Sequence, residues 1–146
     1  MLFHLPKFPA EIRVSHLNTR VNEQRKKIVQ ATASRLELLQ LLQQLVKEAK
    51  IRKKNNQKIF VLDFKGDIQA SAADTIREEI TLILATAKAG HDRVVVRLES
   101  PGGMVHGYGL AAAQLVRLRD AGFNLTICVD KVAASGGYMM ACVADK

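Results

Sequence analysis

Three short, nearly unbroken apolar segments, separated by longer helical patterns, limit most strongly how this chain can fold. The segments are IFVLDF (59–64), VVVRL (94–98) and LTICV (125–129). Their branched and aromatic residues are typical of strands that are buried on both faces of a parallel sheet. The two stretches between them have helical patterns that end at Gly90 and Gly122. This order predicts an α/β fold whose parallel strands are joined by right-handed crossover helices.

Residues 1–58 differ from the rest of the chain in charge and periodicity. They carry 13 Lys and Arg against 4 Asp and Glu, whereas residues 59–146 carry 9 against 10. A 3.5-residue apolar register from Leu17 to Ala49 predicts a long amphipathic helix, packed on its own domain or on another helix. The charged stretch 47–58 is predicted to be a solvated linker. We therefore divide the chain into a basic N-terminal segment, 1–58, and an α/β part, 59–146.

Composition argues against several kinds of site. The lysines of 47–58 have no aromatic residues between them, which disfavours nucleic-acid binding and favours a surface of anionic lipid. No apolar run is long enough to span a membrane, and residues 1–10 are too short and too proline-broken for a signal peptide. The histidines are scattered, and Cys128 and Cys142 lie in apolar runs as buried small residues would. We predict neither a metal site nor a cofactor.

Two unusual loops follow the second and third predicted strands. They are ESPGGM (99–104) and KVAASGGY (131–138), and in a parallel sheet both open onto the same edge. Gly102 and Gly103 present backbone amides that no side chain shields. Amides aimed at the oxyanion of a tetrahedral intermediate lower the barrier by about 3 kcal/mol per donor. An ordinary Pro-Gly turn is the alternative explanation of this loop.

Ser135 lies where the second of these loops leads into a predicted helix, beginning GGYMM. Its small neighbours leave room for a substrate backbone, and the Gly136 amide lies at the positive end of that helix. The placement resembles a strand-to-helix nucleophile elbow without the usual G-x-S-x-G sequence. A helix N-cap is the ordinary explanation of such a serine. The pairing with the glycine loop favours a nucleophile, with Gly103, Gly136 and Gly102 as oxyanion donors.

The stretches LESPGGMVHGYGLAAAQLVRLRD (98–120) and VDKVAASGGYMMACVADK (129–146) resemble the signal peptide peptidase A and SohB family of membrane-associated serine peptidases, most closely its SohB members. The resemblance covers residues 59–146 and extends more weakly over 14–28. It implies that 59–146 are the N-terminal part of a ClpP- and crotonase-like domain. It also implies that Ser135 is the nucleophile, and that Gly103 and Gly136 form the oxyanion hole.

In that family the base is a lysine well downstream of the serine, which gives a Ser/Lys dyad. Only 11 residues follow Ser135 here, so the 146-residue chain is expected to lack this lysine and to be inactive. Lys131 is expected to be solvated and charged. A triad of Ser135, His106 and Asp130 is conceivable, although His106 fits cleft lining or a helix start better. Asp63 and Asp67 are expected to be turn and cap residues.

The expected partners are a peptide substrate, further copies of the chain, and a membrane surface near the N-terminal region. Copies would meet through the stripe from Leu38 to Leu45 or through open sheet edges, because the last strand is expected to have an unpaired edge. The resemblance implies the bacterial inner membrane with a periplasmic catalytic domain, although family members usually carry an anchor that this sequence does not show. Two alternatives stay open: a crotonase-like acyl-CoA enzyme and a non-catalytic membrane-surface scaffold.

Overall fold

The computed structural model describes residues 12–32 and 34–146. The described residues form two compact units, 12–56 and 57–146. The prediction made for residues 1–10 lies outside the described range. Of the helices in that range, none combines the length and the apolar character needed to cross a bilayer.

The first unit consists of two helices, α1 (Leu17–Thr32) and α2 (Arg35–Asn55). The single helix predicted over 17–49 is therefore interrupted, and a capping box at Ser34 explains the new start. The Glu37 carboxylate accepts hydrogen bonds from the Ser34 amide at 2.7 Å and the Ser34 hydroxyl at 3.0 Å. The Glu37 amide faces Ser34 Oγ at 3.4 Å in return. Together these groups satisfy amides that otherwise have no partner in the first turn of α2.

The helix continues further than predicted at its other end. Residues 47–55 belong to α2, so the prediction of a solvated linker holds only for the three residues 56–58. The apolar register is also divided between the helices. Its members Leu17, Val21 and Ile28 in α1 are exposed by 44%, 59% and 64%, and Leu42 in α2 is exposed by 38%. Leu41 of α2 is buried but lies outside the register.

The second unit is a parallel three-stranded sheet in the order β1-β2-β3. Its strands are β1 (Ile59–Lys65), β2 (Arg93–Ser100) and β3 (Asn124–Ala133), and its helices are α3 (Ala73–Thr86), α4 (Val105–Asp120) and α5 (Gly136–Ala141). The helices α3 and α4 connect consecutive strands. The predicted α/β fold is confirmed.

One face of the sheet forms the core with α3 and α4. Val94, Val96 and Leu98 of β2 are fully buried there, because alternate residues of a strand point to the same side. The opposite face is only partly covered and carries Asp63, Arg97 and Glu99 beside the half-buried Val61 and Val95, so burial of both faces was not the right expectation for the described residues. On that face Asp63 and its register partner Arg97 form a two-bond ion pair with distances of 2.5 and 2.6 Å.

The free edge of β3 is partly covered by the last two residues. The Asp145 amide donates to the Leu125 carbonyl at 2.9 Å, and the Ile127 amide donates to the Lys146 carbonyl at 3.0 Å. The Leu125 amide also donates to the Asp145 carboxylate at 2.8 Å. The expectation of an unpaired edge on the last strand was therefore wrong at these positions.

Asp92 holds the residues that precede β1 and β2, and it leads to a prediction about how stability depends on pH. Its buried carboxylate accepts hydrogen bonds from the amides of Lys88 and Lys58, both at 2.9 Å, and these bonds lower its pKa. Because its pKa is lower in the folded protein than in the unfolded chain, the Asp92 carboxylate stabilises the fold at pH values above its ordinary pKa of about 4. This stabilisation is lost as the pH falls through the lowered pKa. We expect Asp92→Asn to cost about 2 kcal/mol at pH 7. Denaturant unfolding should show this difference shrinking in acid, and a difference that does not depend on pH would contradict it.

Candidate active site

The two glycine-containing loops meet at one edge of the sheet. The Ala134 amide donates to the Ser100 carbonyl at 3.0 Å, which joins the turn after β3 to the end of β2. A Cβ built on Gly102 would lie 2.6 Å from the Ser135 Cβ and 3.2 Å from its Oγ. The glycine loop and Ser135 are therefore in direct contact, and the Ser135 side chain is exposed rather than enclosed by packing.

Ser135 has a backbone conformation that L-residues rarely adopt, with φ 50° and ψ −118°. It occupies the second position of a tight turn closed by the Gly137 amide, which donates to the Ala134 carbonyl at 2.9 Å. Such a conformation costs about 1–3 kcal/mol in a residue other than glycine. Its side chain makes no capping hydrogen bond to α5. The N-cap explanation therefore fails, and the strain resembles that of a nucleophile elbow.

A pocket of about 290 Å³ opens beside the hydroxyl and is lined by Gly103, Val105, Ser135, Gly136 and Met139. The Gly136 amide belongs to the first residue of α5, so no intrahelical acceptor is available to it. The Gly103 amide has no hydrogen-bond acceptor among residues 12–32 and 34–146. Both predicted donor residues therefore line the pocket, and neither amide has a hydrogen-bond acceptor among the described residues.

Gly102 has a different role from the predicted one of oxyanion donor. Its amide donates to Ser100 Oγ at 3.0 Å, so it is already occupied in this conformation. Its φ of +88° and its contact with Ser135 leave no room for a side chain. Gly102 shapes the loop, whereas the Gly103 amide is available to a ligand.

Buried residues below the pocket support both loops. Ser100 and Tyr108 are fully buried, and their oxygens lie 2.6 Å apart. The Tyr108 ring packs directly under Gly136, where a Cβ would lie 2.6 Å from the Tyr108 Cβ. No role for either side chain was predicted from the sequence. The one available signal was a lone tyrosine at the start of a helix rich in glycine and alanine.

The candidate bases within the chain are engaged elsewhere or are not joined to the serine. Lys131 Nζ lies 3.0 and 3.2 Å from the Glu99 carboxylate oxygens. That hydrogen bond and the charge of Glu99 raise the pKa of Lys131, which is the wrong direction for a neutral base at pH 7. In the described part of the chain, no hydrogen bond joins any two of Ser135, His106 and Asp130. The conceivable triad is not assembled.

The remaining polar candidates have structural explanations. Asp67 accepts hydrogen bonds from the hydroxyl and amide of Ser71 at 2.6 and 2.9 Å, which lower its pKa. It is a turn residue, as expected, whereas Asp63 lies within β1 and pairs with Arg97. Cys128 and Cys142 are exposed free thiols, so the prediction of their burial was wrong. Cys128 is the register partner of Arg97 on β3, where the sheet is uncovered.

No three His, Cys, Asp or Glu side chains among the described residues lie close enough together to hold a metal ion.

The family model described as peptidase family S49 N-terminal matches residues 6–115. The chain belongs to peptidase family S49. This confirms the resemblance seen in the sequence. The matched range includes the glycine loop and ends before Ser135, so the position of the serine relative to that loop comes from the structure.

Curated relatives of this S49 chain bear the name probable protease SohB. The protein from Buchnera aphidicola subsp. Acyrthosiphon pisum is 62% identical over 93 residues, which are 64% of this chain and 27% of the relative. The protein from Haemophilus influenzae is 65% identical over 88 residues, or 60% of this chain and 25% of the relative. The matched part of the chain thus spans about a quarter of these relatives. The activity of a whole protein is accordingly a matter of proposal.

Proposed function

We propose that this S49 chain supplies the nucleophile and the oxyanion hole of a serine peptidase. The strained and exposed Ser135, in contact with the glycine loop, is the observation that carries the proposal. A strained backbone persists only where the surroundings enforce it, and it is concentrated at functional sites. An acyl-CoA enzyme of related fold would use the paired amides but would have no use for this hydroxyl.

In the proposed reaction, Ser135 Oγ attacks the carbonyl carbon of a peptide bond while a base takes its proton. The carbonyl oxygen becomes an oxyanion that accepts hydrogen bonds from the Gly103 and Gly136 amides. Collapse of this intermediate breaks the C–N bond, and the leaving amine takes the proton from the base. Water then hydrolyses the acyl-enzyme by the same steps. The base is proposed to be a lysine outside residues 1–146, which would complete a Ser/Lys dyad in the complete protein.

Peptide hydrolysis tests this proposal. The complete protein that carries this chain is expected to cleave apolar fluorogenic peptides, and residues 1–146 alone are expected to cleave none. Removal of a catalytic residue lowers kcat by a factor of about 10⁴ or more, so the rates of peptide hydrolysis by the two proteins should differ clearly. Failure of the complete protein on a broad peptide library would contradict the proposed function. Robust hydrolysis by residues 1–146 would contradict the external lysine.

Lys131 provides a separate prediction about the base. Because Lys131 is paired with Glu99, we expect Lys131→Met to leave kcat/KM of the complete protein within about fivefold, the effect of an exposed ion pair. Activity assays from pH 6 to 9 would measure this together with the pH profile. A loss of several orders of magnitude would identify Lys131 as the base and would overturn the assignment.

We further infer that α1 contacts an anionic membrane surface in a protein whose peptidase part lies in the bacterial periplasm. Leu17, Val21 and Ile28 are exposed on this helix, and Arg20, Arg25 and Lys27 lie between and beside them in the sequence. Apolar residues with flanking basic residues favour interfacial binding. The chain should sediment with phosphatidylglycerol vesicles and not with phosphatidylcholine vesicles. Unchanged binding after replacing Val21 and Ile28 by serine would contradict a role for this face.

A further inference from the structure

A continuous chain of hydrogen bonds runs beneath the proposed site. The Gly102 amide lies 3.0 Å from Ser100 Oγ, Ser100 Oγ lies 2.6 Å from the Tyr108 hydroxyl, and that hydroxyl lies 2.8 Å from the Asp67 carbonyl. The Ser100 and Tyr108 side chains are fully buried. This chain of hydrogen bonds thus links the loop after β1 with the glycine loop after β2.

The two ends of this chain fix the direction of every proton in it. The Asp67 carbonyl can only accept, so Tyr108 donates its single proton to it. Ser100 must then donate to the Tyr108 oxygen, and it accepts from the Gly102 amide. Each polar group is satisfied, and successive bonds in one direction polarise and strengthen one another. Removing one hydroxyl would leave a buried partner unpaired.

Both sides of the pocket depend on the same two side chains. Ser100 Oγ accepts the hydrogen bond of the Gly102 amide, and Gly102 immediately precedes Gly103, which lines the pocket. The Tyr108 ring lies against Gly136, whose amide is the second donor. Phe64 supports that ring from the side in an edge-on contact, with ring centroids 6.1 Å apart.

We propose that Ser100 and Tyr108 are positioning residues that set the direction of the Gly103 and Gly136 amides toward the oxyanion. This inference rests on the proposed peptidase function. Neither side chain borders the pocket, so neither is expected to contact the substrate. Donors that stabilise an oxyanion act on the transition state more than on the bound substrate. Loss of either hydroxyl should therefore lower kcat and leave KM nearly unchanged.

The test uses Tyr108→Phe and Ser100→Ala in the complete protein, with Ile83→Val as the matched control. Ile83 is buried in the core near the end of α3 and takes part in none of the three hydrogen bonds. We expect kcat to fall about 10- to 100-fold in the two hydroxyl variants, as for donors displaced by a fraction of an ångström. Affinity for a peptide boronate, whose adduct with serine is tetrahedral, should fall in parallel with kcat/KM. The control should lose thermal stability and keep its kcat within about threefold.

Distinct outcomes separate this inference from the proposed function. A wild-type protein without hydrolysis counts against the peptidase proposal, whereas an active wild type with unchanged kcat in both hydroxyl variants overturns the positioning role. An equal loss of kcat in Ile83→Val would show that the loss follows from reduced stability, and it would overturn the role as well. Amide hydrogen exchange of the wild-type protein is a further test that needs no variant. Gly102 should be strongly protected in the wild type, and exchange at the rate of an exposed loop would contradict the hydrogen-bond chain.

Discussion

Replacing Ser135 by alanine or by glycine is expected to abolish hydrolysis by the complete protein, with opposite consequences for stability. Either change removes the nucleophile, so kcat should fall by about 10⁴-fold or more. Alanine retains the strain of the backbone at φ 50°, whereas glycine adopts this conformation freely. We therefore expect Ser135→Gly to be more stable than Ser135→Ala by about 1 kcal/mol. Peptide hydrolysis and denaturant unfolding measure the two effects.

Ser71→Ala is the control for this pair. Ser71 is another exposed serine of the same unit, and its hydroxyl bonds to Asp67 rather than bordering the pocket. Its replacement should leave kcat/KM within about fivefold of the wild-type value, since an exposed hydrogen bond is worth at most about 1 kcal/mol. Equal stability of the glycine and alanine variants would show that the turn at Ser135 is not strained. Residual activity in both would remove this serine from the mechanism.

Gly102→Ala is the second change with a large expected effect. The new methyl group would lie 2.6 Å from the Ser135 Cβ and 2.7 Å from the Ala134 carbonyl, and the backbone has a positive φ. The two loops must therefore separate, which displaces the hydroxyl from the amides. We expect a loss of about 3 kcal/mol of stability and a fall in kcat/KM of about 100-fold. Thermal unfolding and peptide assays on the same preparation would measure both.

Gly90→Ala separates backbone strain from steric overlap. Gly90 also has a positive φ, +73°, but a Cβ there would have no neighbour within 4 Å. This variant should lose about 1 kcal/mol and keep its full activity, because the turn lies outside the pocket. If Gly102→Ala proves no more damaging than Gly90→Ala, the contact between the glycine loop and Ser135 is not present in solution.

The sheet and the meeting of the two loops were predictable because they follow from local patterns and one topological rule. The three apolar runs defined the strands, and parallel strands place the loops at their carboxyl ends on one edge. The residues at which helices begin were less predictable, because a capping sequence competed with the heptad register at one helix start and a sequence of similar spacing did not cap the helix at another. Ser34 and Glu37 form a true capping box, yet the heptad register across them favoured an unbroken helix. Ser71, with Asp74 three residues later, has similar spacing, but Ser71 bonds to Asp67 and α3 is preceded by Ala72.

The support beneath the site could not be predicted, because it depends on contacts between distant residues. Tyr108 bonds to the carbonyl of Asp67, 41 residues earlier in the chain, and no local motif specifies that pairing. The burial of Ser100 depends on the same assembly. The exposure of Cys128 likewise depends on which sheet face the helices cover, which the apolar run around it does not indicate.

Covalent labelling of the complete protein tests the central claim most directly, that Ser135 and the Gly103 and Gly136 amides form one acyl-transfer centre. A peptidyl fluorophosphonate should form a single adduct, which tandem mass spectrometry would locate on Ser135, and Gly102→Ala should slow the labelling by about 100-fold. An adduct on another serine, or none under conditions in which the wild type cleaves peptides, would contradict the account.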